Sequence, residues 1–458
     1  MHATPQHPPT PCQSWETTFE QAARRKRAGA PVWEWFDQRV RTHHEAMAAL
    51  PSTRVPQEAL QQKLHEALYT RQASRPRVLY IHVPFCKRIC TFCNFFRQPC
   101  GDDTSKYAEA LCRQIERVAE TPWAQARAFD AVYFGGGTPT ALPARHLVEV
   151  VDCVCTRLPL APNCEVTVES RFEGIDHGYL AGLRESGANR LSFGVQTFNT
   201  EIRRRVGRLA DRETMLSRLL LAQALGFASV SVDLIYNLPG QTREHVAEDV
   251  RVLTSSGVTG ASVYALIPFR GSALARAIED GREAPLGDVA HEYHLHEQFT
   301  SALAEHGAWT RMSPFHYGQP GIERNVYNGV RMLTSDILGL GCGAGGDLNG
   351  LSYMHAMDIA RYIADSEELG GAFLPTVGGS MRPIFREDNP APFRVFSGEG
   401  IARGDLNACA PKFAHAAYVL VELGLLDSTN GWLRLTTDGC FWAYNLIAAM
   451  SQAIASRE

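Results

Sequence analysis

The sequence predicts an α/β fold, a six-stranded partial (β/α)6 TIM-like barrel with an N-terminal helical segment and a C-terminal α+β winged-helix-like domain. Three observations predict it. Six short runs rich in Val, Tyr and Phe recur between residues 78 and 268. Stretches of helical character separate them. The runs are nearly continuous in apolar residues, as in strands covered on both faces, and such strand–helix alternation implies a parallel sheet with right-handed crossovers. Six strands are too few for the closed eight-stranded barrel.

Residues 1–12 are rich in Pro and His and read as disordered. Residues 14–70 read as helical, giving an N-terminal extension over 1–74. The strands are VLYIHV (78–83), FDAVYFGG (129–136), EVTVES (165–170), RLSFGVQ (190–196), SVSVDLIYNLP (229–239) and GASVYALIP (260–268). Helices are expected over 104–119, 143–157, 177–186, 211–225 and 242–256, so the barrel occupies 75–275. The alternation then stops. Residues 286–306 read as a helix, 339–346 as a Gly-rich segment and GGSMRPIFREDNPAPF (378–393) as a loop. Residues 276–395 form a capping and substrate region. The tail (413–450) reads helix, short strand pair, helix, which suggests the winged-helix-like module over 396–458. Such a module often binds DNA, but this one is not strongly basic, so a packing role is favoured.

The chain has 458 residues, 45% apolar and 21% charged, with 45 Lys plus Arg against 49 Asp plus Glu. A net charge of −4 argues against a general nucleic-acid binder. No run is long and apolar enough to span a bilayer, and the N-terminus shows no signal peptide, so no membrane partner is expected and the cytoplasm is the default. The twelve cysteines then read as thiols or metal ligands.

Three of them stand out. In YIHVPFCKRICTFC (80–93), Cys86, Cys90 and Cys93 have C-x3-C-x2-C spacing and follow directly on a strand. Three thiolates suit a [4Fe–4S] cubane, because each holds one iron and the fourth iron stays open to a small molecule. Tyr80, Phe85 and Phe92 would shield it from water. Two plainer readings stand beside this one: a zinc site awaiting a fourth ligand, which Cys100 could supply, and buried thiols with no role. Cys12, Cys112, Cys153, Cys155, Cys164, Cys409 and Cys440 lack metal spacing and receive no role.

YIHVPFCxxxCxFC resembles the signature of the radical S-adenosylmethionine (SAM) superfamily. It is more narrowly similar to the coproporphyrinogen-dehydrogenase-like subgroup (HemN and HemW types). That resemblance implies reductive cleavage of SAM at the open iron, giving a 5′-deoxyadenosyl radical. FGGGTPT (134–140), Glu169, GVQTFN with Gln196, RRRVGR ending in Arg208 and DLIYNLPGQT with Asp233 extend it over about 190 residues. These polar groups end parallel strands, where ligands bind in open α/β sheets. Carried over by the resemblance, a first SAM would touch Tyr80, Phe92, Gly136 and Glu169. A second SAM would touch Gly137, Thr138, Gln196, Arg208, Asp233 and Ala265. The match near Gly345 is looser.

Within the subgroup, three activities compete. Coproporphyrinogen dehydrogenases usually carry a fourth cysteine two residues past the last cluster ligand, where this chain has Phe95. The heme chaperones carry a histidine in H-N-x-x-Y-W, where this chain has Arg324 in ERNVYNG (323–329). The ERN-x-YN segment, the DILGLGCGAGG run and the GGSMRPIFR insertion look like the anaerobic heme-degrading methyltransferases. For that group the resemblance implies one SAM as radical source and a second as methyl donor. It also implies ring opening of heme with iron release, and a small flavodoxin-like electron-donor protein as partner. Heme or another tetrapyrrole is then the substrate partner. Arg382 and Arg386 could pair with heme propionates. His316 and His355 are candidate iron ligands, although a lone histidine is more often a plain core or surface group. His82 reads as orienting the cysteine loop, and Cys342 as a small buried residue. No catalytic side chain is assigned.

Overall fold

The computed structural model describes residues 14–48, 50–331, 335–368, 376–382 and 392–455. The chain divides into two compact units, residues 1–51 with 388–458 and residues 52–387. Of the stretch expected as one N-terminal extension, residues 14–48 fall in the first unit. The strand Thr53–Val55 and the helix Gln57–Tyr69 fall in the second.

The second unit carries the parallel strands β1 (Arg77–Val83), β2 (Phe129–Gly136), β3 (Leu160–Ser170), β4 (Arg190–Gln196), β5 (Ser229–Tyr236) and β6 (Gly260–Ala265). They pair side by side in that order, all parallel. Five helices alternate with them: α1 (Thr104–Ala119), α2 (Ala144–Arg157), α3 (His177–Glu185), α4 (Arg212–Ala224) and α5 (Arg243–Ser255). Three start where the chemistry of the cap dictates. Asp176 accepts the Tyr179 N–H, Asp211 accepts that of Thr214, and Thr242 forms a reciprocal box with His245. The helices cover the outward strand residues, such as Val132, Phe134, Val168, Leu191, Phe193 and Val232, all essentially buried in one core.

The sheet is wider than the six strands expected. A seventh parallel strand, β7 (Asp336–Leu340), pairs with β1. Beyond it run the antiparallel strands 345–348, 351–355, 376–381 and 53–55, and beyond β6 the strands 316–318 and 310–313. The start of the 378–393 segment that reads as a loop belongs to a strand, Thr376–Met381, with Ser380 opposite Ser352. Its Gly-rich sequence hides this, because Gly379 is needed where a Cβ would stand 2.5 Å from Leu60. The Pro383–Pro390 part lies outside the described residues, as do residues 1–12.

In the first unit, helices Trp15–Arg27, Pro411–Leu423 and Ala443–Ala455 pack with a three-stranded antiparallel sheet of 401–402, 432–435 and 426–429. The tail shows the expected order of helix, strand pair and helix. Trp442 donates to the Val32 carbonyl at 3.0 Å, and Asn445 bonds both Gln38 and Val40. No described helix is long and apolar enough to cross a membrane.

Candidate active site

Strand residues alternate in direction, and the two faces of this sheet differ in chemistry. Opposite the apolar face stand Tyr80, Tyr133, Thr167, Glu169, Ser192, Ser231, Asp233 and Ser262. Register brings them into rows: Tyr80 beside Tyr133, Glu169 beside Ser192, Ser192 beside Ser231, and Asp233 beside Ser262. Small residues at Gly135, Ser192, Gly194 and Ser231 leave space between the larger polar groups.

The carboxyl ends of the strands carry the expected residues. Tyr133 donates to Glu169 Oε1 at 2.8 Å and Ser192 to Asp233 Oδ2 at 3.3 Å. Glu169 is only half-buried in area, yet its carboxyl lies deep between Tyr133 and Gly135. Burial, helped by the nearby Asp233, pushes its pKa up to about 8. Burial also raises Asp233, against hydrogen bonds from Ser262 and Ser192. Gln196 ends β4 at φ +68, a strained left-handed backbone for a non-glycine residue, beside the Arg208 bond to the Gly194 carbonyl (3.1 Å). Ala265 closes β6 opposite Tyr236.

The cysteine loop leaves β1 at Val83. Gly137 donates to the Val83 carbonyl at 2.9 Å, and a Cβ on Gly137 would stand 2.7 Å from the Phe85 carbonyl. At Gly136, φ is +112 and a Cβ would strike the His82 ring at 2.7 Å. The glycines of FGGGTPT therefore let this loop and His82 cross the end of β2. His82 Nε2 faces the Phe96 carbonyl at 3.2 Å and must donate to it, leaving Nδ1 to accept from the Tyr80 hydroxyl at 3.0 Å. Burial pushes His82 down to about 4. It orients the loop, as its place in the motif suggested.

Cys86 and Cys90 are buried and Cys93 is half-buried. Burial raises the pKa of Cys86 and of Cys93, and neighbouring thiolates raise each further: Cys90 acts on both, and Cys86 acts on Cys93. The three thiols therefore converge. Among the described residues no three His, Cys, Asp or Glu side chains are gathered tightly enough to hold one metal ion. Thiols brought together in this way suit a cubane, whose cysteines each hold a different iron. Cys100 turns to the Ala141 carbonyl at 3.7 Å instead.

Around the thiols lies a group of cations that sequence reasoning largely missed. Arg171 Nη2 donates to Cys90 Sγ at 3.0 Å. Arg171, Arg203 and Arg208 are all buried, and Arg171 Nε, Arg203 Nη2 and Arg208 Nε have no hydrogen-bond partner among the described residues. Burial pushes Arg203 down to about 9 and lowers Arg208, which the Cys90 charge draws back up. Glu173 is held below the usual carboxylate range by these arginines, against the effect of burial. Buried cations short of partners are costly. A thiolate-bound, anionic cluster supplies the missing charge, so the residues present fit a [4Fe–4S] group. Arg203 opens and Arg208 closes the RRRVGR motif, of which only Arg208 received a role; Arg171 shows no sequence signal beyond following Glu169 by two residues.

Phe92, within the cysteine loop, is partly buried against Ile202, Val206, Leu238, Leu266 and Leu274. Several other expected contacts fall elsewhere. Phe85 packs edge-on to Tyr107 in the helix layer. Cys342 is buried with its thiol on the Ala356 carbonyl. His316 does not face an open slot: it is 2% exposed, with Ser262 at Nδ1 (3.0 Å) and Glu323 at Nε2 (3.2 Å). His355 is wholly buried, with Nε2 on the Gly339 carbonyl at 2.8 Å. Neither is placed to ligate a heme iron. Arg382 donates its N–H to the Gly350 carbonyl, and Gly350 lies in a turn whose neighbour Asn349 bonds Asp336 at the start of β7. It stands at the end of the sheet opposite the cysteine loop. Arg386 lies outside the described residues. Arg324 also sits at that opposite end, on the Asn163 carbonyl at 2.9 Å.

Residues 80–253 match the radical SAM superfamily. The chain is 32% identical to an anaerobilin synthase of Escherichia coli O157:H7, over 87% of this chain and 89% of that one. It belongs to the radical SAM superfamily. Within it the chain falls in the HemN-like family. A heme chaperone HemW of Bacillus subtilis is 29% identical over 65% of this chain and 78% of its own. The radical SAM coproporphyrinogen III oxidase HemN of Escherichia coli shares the fold, with a TM-score of 0.69 and 24% identity over 85% of this chain and 93% of that one. A [4Fe–4S] cluster and SAM go with membership of this superfamily.

Proposed function

We propose that this radical SAM protein opens the heme macrocycle anaerobically with iron release, as a methyltransferase that uses one SAM as radical source and a second as methyl donor. The observation that carries the reading is the likeness to anaerobilin synthase across nearly the whole of both chains. Phe95 supports it against coproporphyrinogen oxidation, because a 70% exposed aromatic stands where that activity's extra cysteine is expected.

Cys86, Cys90 and Cys93 would hold the cluster, and Arg171 and Arg208 would balance its charge. When bound, the cluster supplies the electron for reductive cleavage of SAM. Tyr80, Phe92, Gly136 and Glu169 would hold the first SAM, with the Glu169 carboxylate facing a cationic group. Gly137, Thr138, Gln196, Arg208, Asp233 and Ala265 would hold the second. The chain's own contribution is to orient two ligands in one crevice and to exclude water, and orientation alone lowers barriers by roughly 7–11 kcal/mol in favourable cases. A small electron-donor protein of the flavodoxin kind would serve as partner, in the cytoplasm.

One incubation tests this. With heme, SAM and a one-electron reductant under nitrogen, the Soret band is lost while 5′-deoxyadenosine and S-adenosylhomocysteine accumulate. Heme that stays intact and bound would point to a chaperone. Turnover of coproporphyrinogen III with carbon dioxide release would point to the dehydrogenase.

A further inference from the structure

Cleavage of SAM at a cluster consumes an electron from outside the chain, so some surface must admit it. The outer side of the cysteine loop has the features of such an entry. A cleft of about 380 Å³ reaches Cys90 and Cys93 and is lined by Ile89, Arg97, Arg270 and Arg276. Cys93 is half-buried, so one prospective cluster ligand stands close to the surface.

Charge and apolar area coincide there. Arg270 and Arg276 are exposed, and Arg97 lies near enough to Cys93 to act on its thiol. None of the three has a carboxylate within ion-pair distance among the described residues. Arg97 and Arg276 bond only to the Phe95 and Gly271 carbonyls. Of the acidic groups close in sequence, Asp280 is paired with Arg282, and the exposed Glu279 on the Arg276 helix leaves the three arginines in excess. The chain as a whole carries −4, so this local excess of positive charge runs against its average. Ile89 is 41% and Phe95 70% exposed, and exposed apolar anchors ringed by cations suit a transient protein contact.

We propose that this surface docks an acidic one-electron carrier protein, a flavin or iron–sulfur protein, which delivers its electron to the cluster through the Cys90–Cys93 edge. The proposal rests on the radical SAM reading given above. The carrier loses one electron and the cluster gains it; no bond is made or broken at this step. Such redox encounters bury little area, and opposite charge raises their on-rate by about 10- to 1,000-fold in a salt-dependent way.

The experiment measures cluster reduction in the full, cluster-loaded chain by stopped flow, with reduced flavodoxin as the acidic probe. The comparison pairs the wild type with an Arg270→Glu/Arg276→Glu variant. At low salt the variant is expected to be reduced roughly tenfold more slowly or worse. Added salt should slow the wild type and speed the variant, because it screens attraction in the first and repulsion in the second. Arg270→Lys/Arg276→Lys should retain the wild-type rate. Iron content and SAM cleavage with a small chemical reductant should match in all three, which separates docking from damage to the site. An unchanged rate and salt dependence in the charge-reversed variant would overturn the docking site alone. A normal reduction rate with a raised KM for the tetrapyrrole would also overturn it, and would assign these arginines to substrate carboxylates. A wild type that holds its cluster but cleaves no SAM with the chemical reductant would overturn the underlying function instead.

Discussion

Burial beside Asp233 raises the Glu169 carboxyl to about 8, while the Tyr133 hydroxyl pulls it back down. The unfolded chain loses this proton near 4.5. The stabilising contribution of Glu169 is therefore complete below that value and is lost as pH rises through 8. A cationic ligand favours the ionised form, so its binding expels a proton wherever the free site is protonated. We expect SAM affinity to rise between pH 6 and 8, with proton release seen by calorimetry in two buffers of different ionisation enthalpy. Glu169→Gln should flatten the rise; an equally steep profile in that variant would place the titrating group elsewhere. Glu169 was legible from its place at a strand end. Tyr133, its partner, was not, because an aromatic in an apolar run looks like core until the pleat shows which way it points.

At the level of elements, the strand and helix limits follow closely from local chemistry. Helix α1 runs over Thr104–Ala119, as its pattern of Tyr107, Leu111, Ile115 and Val118 predicts. The strand at 376–381 was hidden, because its pairing depends on distant partners at 351–355 and 53–55. The turn after β2 is the most constrained element near the site. Gly136→Ala adds a Cβ at φ +112 against the His82 ring, and a strained backbone of this kind costs about 1–3 kcal/mol. A lower unfolding midpoint in the metal-free chain should accompany reduced iron loading. A midpoint equal to that of the wild type would show that His82 can yield.

Across the larger unit, the end of the strands opposite the cysteine loop carries a buried ion pair. Arg190 on β4 meets Glu323 at 2.9 Å, and Ser229 and His316 also bond that carboxylate. The Arg190 charge holds Glu323 well below the usual carboxylate range despite its burial. Tyr327 stacks on Tyr133 at 4.7 Å and sits 6.4 Å from Tyr80. The 323–331 segment thus packs against the polar face of the sheet and supports the Tyr133–Glu169 contact from beneath. Removing one partner of a buried pair costs about 3–5 kcal/mol, because the other charge is stranded. Urea unfolding of Glu323→Ala should show a loss of that order, and a loss below about 1 kcal/mol would mean the pair is replaceable.

The alternation of six parallel strands with five helices and the three-cysteine loop were determined by sequence alone. Each rests on short-range rules: hydrophobic period, capping residues and ligand spacing. Only the tertiary structure decided what the polar residues do. It sent His316, His355, Arg324 and Arg382 to buried or opposite positions, and it gathered Arg171, after one strand, and Arg203 and Arg208, some 30 residues on, around the thiols. The physical reason is that a side chain's electrostatic partners are set by strand register and pleat direction, and neither is written in the residues beside it.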